Sequence, residues 1–144
     1  MYRWVRQAAE GLPEPQVRAE SREMELDELW HFLQVKNKCW LWKAYDRGSW
    51  RGVAWEVGSR DNSTLRRLWE RIAHPGRTYY TDDWAVYPDV IPPGQHVAGK
   101  AATRLIESDN ANTRHRVARF TRRTKVVSRS ATMVNLTMRL WAYF

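Results

Sequence analysis

Side chains over residues 24–35 divide between two faces at a period of two. Leu26, Trp30 and Phe32 fall on one face, and Asp27, Leu29, His31 and Leu33 on the other. A period of two predicts a strand. Residues 39–45 and 51–57 predict two more, rich in the Trp, Tyr and Val that pack well on a pleated surface. The intervening Asp46-Arg47-Gly48-Ser49 predicts a turn, with Gly48 free to take a positive φ. Three strands on short links predict an antiparallel meander. The period then changes. Asp61, Asn62 or Ser63 can cap a helix whose Leu65, Leu68, Trp69 and Ile72 recur at i, i+3, i+4 and i+7. His74-Pro75-Gly76 stops it. A short strand follows at 78–81, then Asp82, a helical turn over 84–87 closed by Pro88, a Pro92-Pro93-Gly94 loop and a fifth strand over 95–98. A long helix is predicted over 102–122, with Ile106, Thr113, Val117 and Phe120 along one side. A last helix over 131–144 carries Met133, Leu136, Leu140 and Trp141. Residues 1–22 hold Gly11, Pro13 and Pro15 without a sustained period and predict a loosely helical arm before a domain spanning 23–144. The class is α/β: a mixed sheet, three antiparallel strands and then shorter parallel ones, flanked by helices.

Composition narrows the partners. No apolar run approaches the roughly 20 residues of a membrane span, which argues against a membrane. The one cysteine, Cys39, excludes an internal disulfide and a cysteine-cluster zinc site, and fits a reducing cytoplasm. The formal charge is +8. Its placement matters more. Lys100, Arg104, Arg114, Arg116, Arg119, Arg122, Arg123, Lys125 and Arg129 crowd the last third of the chain, opposed only by Glu107 and Asp109. Such a face suits a phosphate backbone and a nucleoid-associated protein. About three quarters of the nine tryptophans are assigned to the core by their place in strands and helices. The rest are free to stack on unpaired bases.

Three carboxylates stand where phosphodiester chemistry needs them. Two divalent ions about 4 Å apart, held by carboxylates, neutralise the attacking and leaving oxygens of an in-line displacement. Asp27 lies mid-strand, Asp82 at a strand end and Glu107 near the start of the arginine-rich helix. A helix crossing adjacent strand ends can bring all three together. Each also has an ordinary reading: Asp27 facing solvent, Asp82 capping the turn at Trp84, Glu107 favoured by the helix dipole. Period and composition leave both readings open. The four histidines lack close zinc-ligand spacing, and Ser128 and Ser130 have no evident base beside them.

Tyr80-Thr81-Asp82-Asp83-Trp84-Ala85-Val86-Tyr87 resembles a signature of the insertion sequence 1 family of bacterial transposases. So do Ile91-Pro92, His96, Gly99-Lys100, Thr103, Ile106-Glu107, Asn110, Arg114, Arg122-Arg123-Thr124, Ser128-Arg129-Ser130 and Met133. Upstream, Leu26-Asp27-Glu28-Leu29-Trp30 and Trp40-Leu41-Trp42 look like the family's first two strands. The resemblance implies a ribonuclease H-like catalytic domain, with whose element order this chain agrees. It implies an Asp, Asp, Glu triad at Asp27, Asp82 and Glu107, holding Mg2+ or Mn2+ as two ions. Twenty-four residues separate Asp82 from Glu107, the family's interval, which Asp83 would break. Arg114 fills the basic position seven after the Glu, two helical turns along the same face. DNA contacts are expected at Lys100, Asn110, Arg114, Arg119, Arg122 and Arg123, with His96 in support. The implied reaction is cleavage at element ends and strand transfer into target DNA by a multimeric assembly, a homo-oligomer on double-stranded DNA. In the family, an upstream reading frame supplies the zinc-binding and helix-turn-helix region. End recognition is therefore expected to be missing or to be supplied in trans, by that upstream-frame protein or by full-length transposase. Ser108 departs from the Arg that many relatives carry after the Glu. Two other readings are a non-catalytic DNA-binding or regulatory fragment, and a structure-selective nuclease on the same fold.

Overall fold

The structure, a computed structural model, describes residues 2–33, 37–117 and 130–143. Five strands form one sheet: β1 Glu23–Leu33, β2 Asn37–Asp46, β3 Arg51–Gly58, β4 Thr78–Thr81 and β5 His96–Ala98. Their order is β3-β2-β1-β4-β5. The first three pair antiparallel, while β4 runs parallel to both β1 and β5. Among the described residues four α-helices accompany them: α1 Tyr2–Glu10, α2 Asn62–Ile72, α3 Arg104–Arg116 and α4 Ala131–Trp141. The predicted mixed sheet flanked by helices is thus present.

Alternation along the strands separates two cores, one on each side of the sheet. Met24 and Leu26 of β1 and Trp42 and Ala44 of β2 face α2, whose Leu65, Leu68 and Ile72 are fully buried with Tyr79 and Tyr87. Leu29, Leu41 and Trp55 face the other way, against Val134 and Met138 of α4. A one-residue slip would exchange these faces, so burial fixes the register. Asp61 caps α2 by accepting the Thr64 N–H at 3.1 Å. The Tyr79 hydroxyl, 2.6 Å away, and Arg77 Nη1, 2.8 Å away, both donate to the Ile72 carbonyl at the far end of that helix.

Four local expectations are corrected. The positive φ near the β2–β3 turn belongs to Trp50, at 58°, and Gly48 is not in that region. The Asp46 carboxylate accepts the Gly48 N–H at 3.2 Å, which closes the turn locally and shifts the reversal onward. Pro88 lies inside a 3-10 turn, Tyr87–Asp89, instead of closing one; at its start a missing N–H costs nothing. The long helix begins later and ends earlier than predicted. Lys100–Thr103 is a separate 3-10 turn, α3 stops at Arg116, and Val117 is extended at φ −93°, ψ 106°. In that conformation Val117 packs against the cluster of Leu29, Trp55 and Met138. Phe120 lies outside the described residues. The arm is better ordered than its sequence predicts: α1 packs Ala9 against Met133 and Leu136 of α4. Glu14 then bridges Arg71 of α2 and Arg139 of α4.

Candidate active site

The parallel pairing of β1 with β4 sets Glu23 opposite Thr78, Met24 opposite Tyr79 and Glu25 opposite Tyr80. Carried two residues further, the same offset matches Asp27 with Asp82, the first residue past β4. Burial pushes the Asp27 carboxyl up to about 7. The charge of Glu28 adds to that shift and so does that of Asp82, while a hydrogen bond from Asn110 opposes it. A carboxylate in a partly dry setting with other negative charge beside it, as Asp27 has, is a natural seat for a cation.

Asp82 is held from several sides. Its Oδ1 accepts the Trp84 N–H at 3.0 Å. The Trp84 ring stacks on Trp42 at 5.6 Å, and the Arg60 guanidinium lies 4.1 Å from its centroid. Arg60 also donates to Glu28 at 2.9 Å, and the Tyr87 hydroxyl donates to Glu28 at 2.7 Å. Behind Asp82, the Thr81 hydroxyl donates to the Asp82 carbonyl at 2.8 Å and meets His96 Nε2 at 2.7 Å. With its one proton given to the carbonyl, Thr81 must accept from His96, which fixes Nε2 as protonated. Burial lowers the His96 pKa, so the ring is neutral at pH 7. His96 therefore supports the strand end that carries Asp82.

Helix α3 supplies the rest. Asn110 is buried, and its Nδ2 donates to Asp27 Oδ2 at 2.8 Å. Its Oδ1 accepts from Lys43 Nζ at 3.2 Å, so both ends of the amide are used inside the protein. Glu107 is exposed and lies one helical turn before Asn110, on the same face. Its carboxylate accepts the Thr103 hydroxyl at 2.9 Å. Among the described residues, no three His, Cys, Asp or Glu side chains are grouped so as to hold a metal ion. Sequence reasoning thus predicted three converging carboxylates; the structure brings Asp27 and Asp82 together and leaves Glu107 turned to Thr103.

Comparison with known proteins follows the same residues. The family described as IS1 transposase matches residues 23–141, from the first residue of β1 to the last of α4. The chain belongs to the IS1 transposase family. It is 36% identical to the insertion element iso-IS1n protein InsB of Shigella dysenteriae over 108 residues, 74% of this chain and 82% of that protein. It is 35% identical to the IS1 protein InsB of Shigella flexneri, with the same coverage. The IS1 2 protein InsB of Escherichia coli K12 is 34% identical over 74% of this chain and 65% of its own length.

Two of the remaining predicted positions of this IS1 transposase family member fall within the described residues. Lys100 is exposed at the start of the 3-10 turn that leads into α3, and Arg114 is half-buried in the last turn of that helix. Arg119, Arg122 and Arg123 lie outside the described residues. No helix among the described residues is long and apolar enough to cross a membrane.

Sequence reasoning missed two groups. Lys43 of β2 sits opposite Asp27 in the register, is only 2% exposed, and is paired with Asp109 of α3. A signal was available: Lys43 interrupts the apolar stretch formed by Trp40, Leu41, Trp42, Ala44 and Tyr45. Glu25 is fully buried and accepts the Leu105 N–H at 3.1 Å, near the start of α3. Burial raises its pKa, opposed by the bonded backbone N–H and by Arg47. It pins the helix start to β1 at the end where a negative charge is favoured.

Proposed function

We propose that this chain is the catalytic part of a transposase that cuts DNA at the ends of its element and transfers the strand to target DNA. The observation that carries the reading is the β1–β4 offset that sets the raised-pKa Asp27 beside Asp82. Strand order supports a ribonuclease H-like fold, since three antiparallel strands precede two parallel ones with helices on both faces. Asp27 and Asp82 would hold the divalent ions, Mg2+ or Mn2+, with Glu107 completing the set on leaving Thr103. Such ions supply charge neutralisation at the attacking and leaving oxygens. Asn110 orients Asp27. Thr81 and His96 hold the strand end behind Asp82. Lys100 and Arg114, with Arg119, Arg122 and Arg123, would grip phosphates and position DNA without reading its sequence. Double-stranded DNA, other copies of the chain, and an upstream-frame or full-length transposase are the partners in this reading.

A second reading draws on one observation. Glu107 is occupied by Thr103 and no three-ligand group is formed among the described residues, which favours a DNA-binding or regulatory fragment. Nicking and joining on labelled DNA carrying the element's ends, with Mg2+ or Mn2+, separates the two. The catalytic reading expects metal-dependent products that vanish in Glu107→Gln and Asp27→Asn. Cutting of branched DNA without joining would indicate a nuclease. Binding without chemistry, even with the upstream region added, would leave the regulatory reading.

A further inference from the structure

A second polar cleft lies on the α3–α4 side of the sheet, away from the face of α3 that carries Glu107 and Asn110. Its volume is about 340 Å3. Three features mark it. Trp50 lines it, 68% exposed, at the only positive φ among the described non-glycine residues. A large side chain at φ 58° is strained, and nothing in the core requires the ring there, since it packs in none of the buried clusters. Next, Arg51 and Arg116 stand exposed on the same cleft, and neither forms an ion pair with a described residue. Finally, the floor is open because residue 52 is glycine. A Cβ there would come within 3.2 Å of Lys43 Cε and 3.7 Å of Asp109 Oδ2. The Asp109 carboxylate and the Asn112 amide thus border the cavity with an acceptor and a donor–acceptor pair.

We propose that this cleft binds one unpaired nucleotide of a DNA strand. The base stacks on Trp50, its polar edge meets Asp109 and Asn112, and Arg51 and Arg116 take the flanking phosphates. The occupant follows from chemistry: a flat ring needs an exposed aromatic face, and its phosphates need free cations beside it. Neither an apolar peptide nor duplex DNA uses both features, because paired bases offer no free face. The proposal rests on the reading that this chain acts on DNA, but it does not depend on the carboxylates.

The test is oligonucleotide binding in EDTA, where cleavage cannot occur, comparing a short single strand with a blunt duplex of the same sequence. Trp50→Ala is expected to lower single-strand affinity by roughly tenfold, within the range for losing one base stack, and to leave duplex affinity unchanged. Arg51→Ala with Arg116→Ala lowers it further and flattens its salt dependence. Trp50→Gly separates ligand binding from folding. It relieves the positive φ, so its Tm should rise while single-strand affinity falls as in Trp50→Ala. A Trp50→Gly protein that melts lower would assign Trp50 a structural role and overturn the proposal. Equal loss for single strand and duplex, or no loss for either, would also overturn it. Metal-dependent cleavage assayed separately shows whether the catalytic reading stands or falls independently.

Discussion

Asp27 carries opposed demands on one carboxyl. Burial holds its pKa up to about 7, whereas a cation site needs it ionised. The unfolded chain releases this proton near pH 4, and the folded chain keeps it to about 7. Between those values the folded state binds more protons, so metal-free stability falls as pH rises from about 4 to 7 and levels off above. The loss is on the order of 4 kcal/mol, from roughly three pH units at about 1.4 kcal/mol each. Glu25, also raised by burial, adds in the same direction, so the measurement must be a difference. Urea unfolding of the wild type and Asp27→Asn across that window is expected to show a shallower decline in the variant. Mn2+ above pH 7 should restore stability to the wild type alone. Parallel curves for the two proteins would mean that Asp27 ionises at an ordinary pH. The sequence showed that Asp27 sits mid-strand and so faces one side of a sheet. It did not show which side was dry, because that depends on α3, about 80 positions further along the chain.

Elements were legible where their period was strong. Strands β1 to β3 and helix α2 lie within a few residues of their predicted limits, since alternation and an Asp cap are local signals. Helix α3 was not, because its inner face is polar. Asn110 and Thr113 are buried on it with Ile106, and they pack onto Lys43 and Asp27 instead of onto an apolar floor. Lys43 is therefore the joint between β2 and α3. Its ammonium pairs with Asp109, 66 positions away, and burial lowers its pKa while Asp109 opposes the shift. Removing one member of a fully buried pair costs about 3–5 kcal/mol, much of it from the charge left behind. Asp109 keeps a quarter of its side-chain exposure, so Lys43→Met is expected to cost about 2–3 kcal/mol in urea unfolding. Lys43→Met with Asp109→Leu should recover part of that loss, because no orphaned charge remains. A double variant less stable than the single would place the energetic weight on the apolar contacts of the Lys43 stem. Trp50 was illegible for a different reason: turn residues predicted a glycine in the left-handed region, and only the closed Asp46 turn shifts that role to a tryptophan.

Across the whole molecule, the excess of positive charge becomes specific once the internal pairs are set aside. Glu14 is consumed by Arg71 and Arg139, Glu28 by Arg60, and Asp109 by Lys43. These pairs tie the arm to α2 and α4, the residue Arg60 ahead of α2 to β1, and α3 to β2, and they present little net charge to a partner. Setting these three acids and four bases aside leaves nearly the whole positive excess of the chain on its other residues. Lys100 is the sharpest probe of that field. It is exposed, has no ion pair among the described residues, and begins the turn that joins β5 to α3 and so to Glu107. A lysine contacting a phosphate releases a counterion on binding, so each such contact adds about 0.9 to the slope of log affinity against log salt. Lys100→Ala is expected to weaken duplex binding by a similar factor for unrelated sequences, lower that slope by about 0.9 and leave stability unchanged. The sign of each effect matters. A loss of affinity with no change of slope would mean that Lys100 shapes the protein and not the contact. A loss confined to one sequence would make it a reader of bases, which a lysine in a phosphate track is not. Uniform weakening with a shallower slope would put the DNA backbone alongside the turn that leads from His96 to Glu107, past the strand end that carries Asp82.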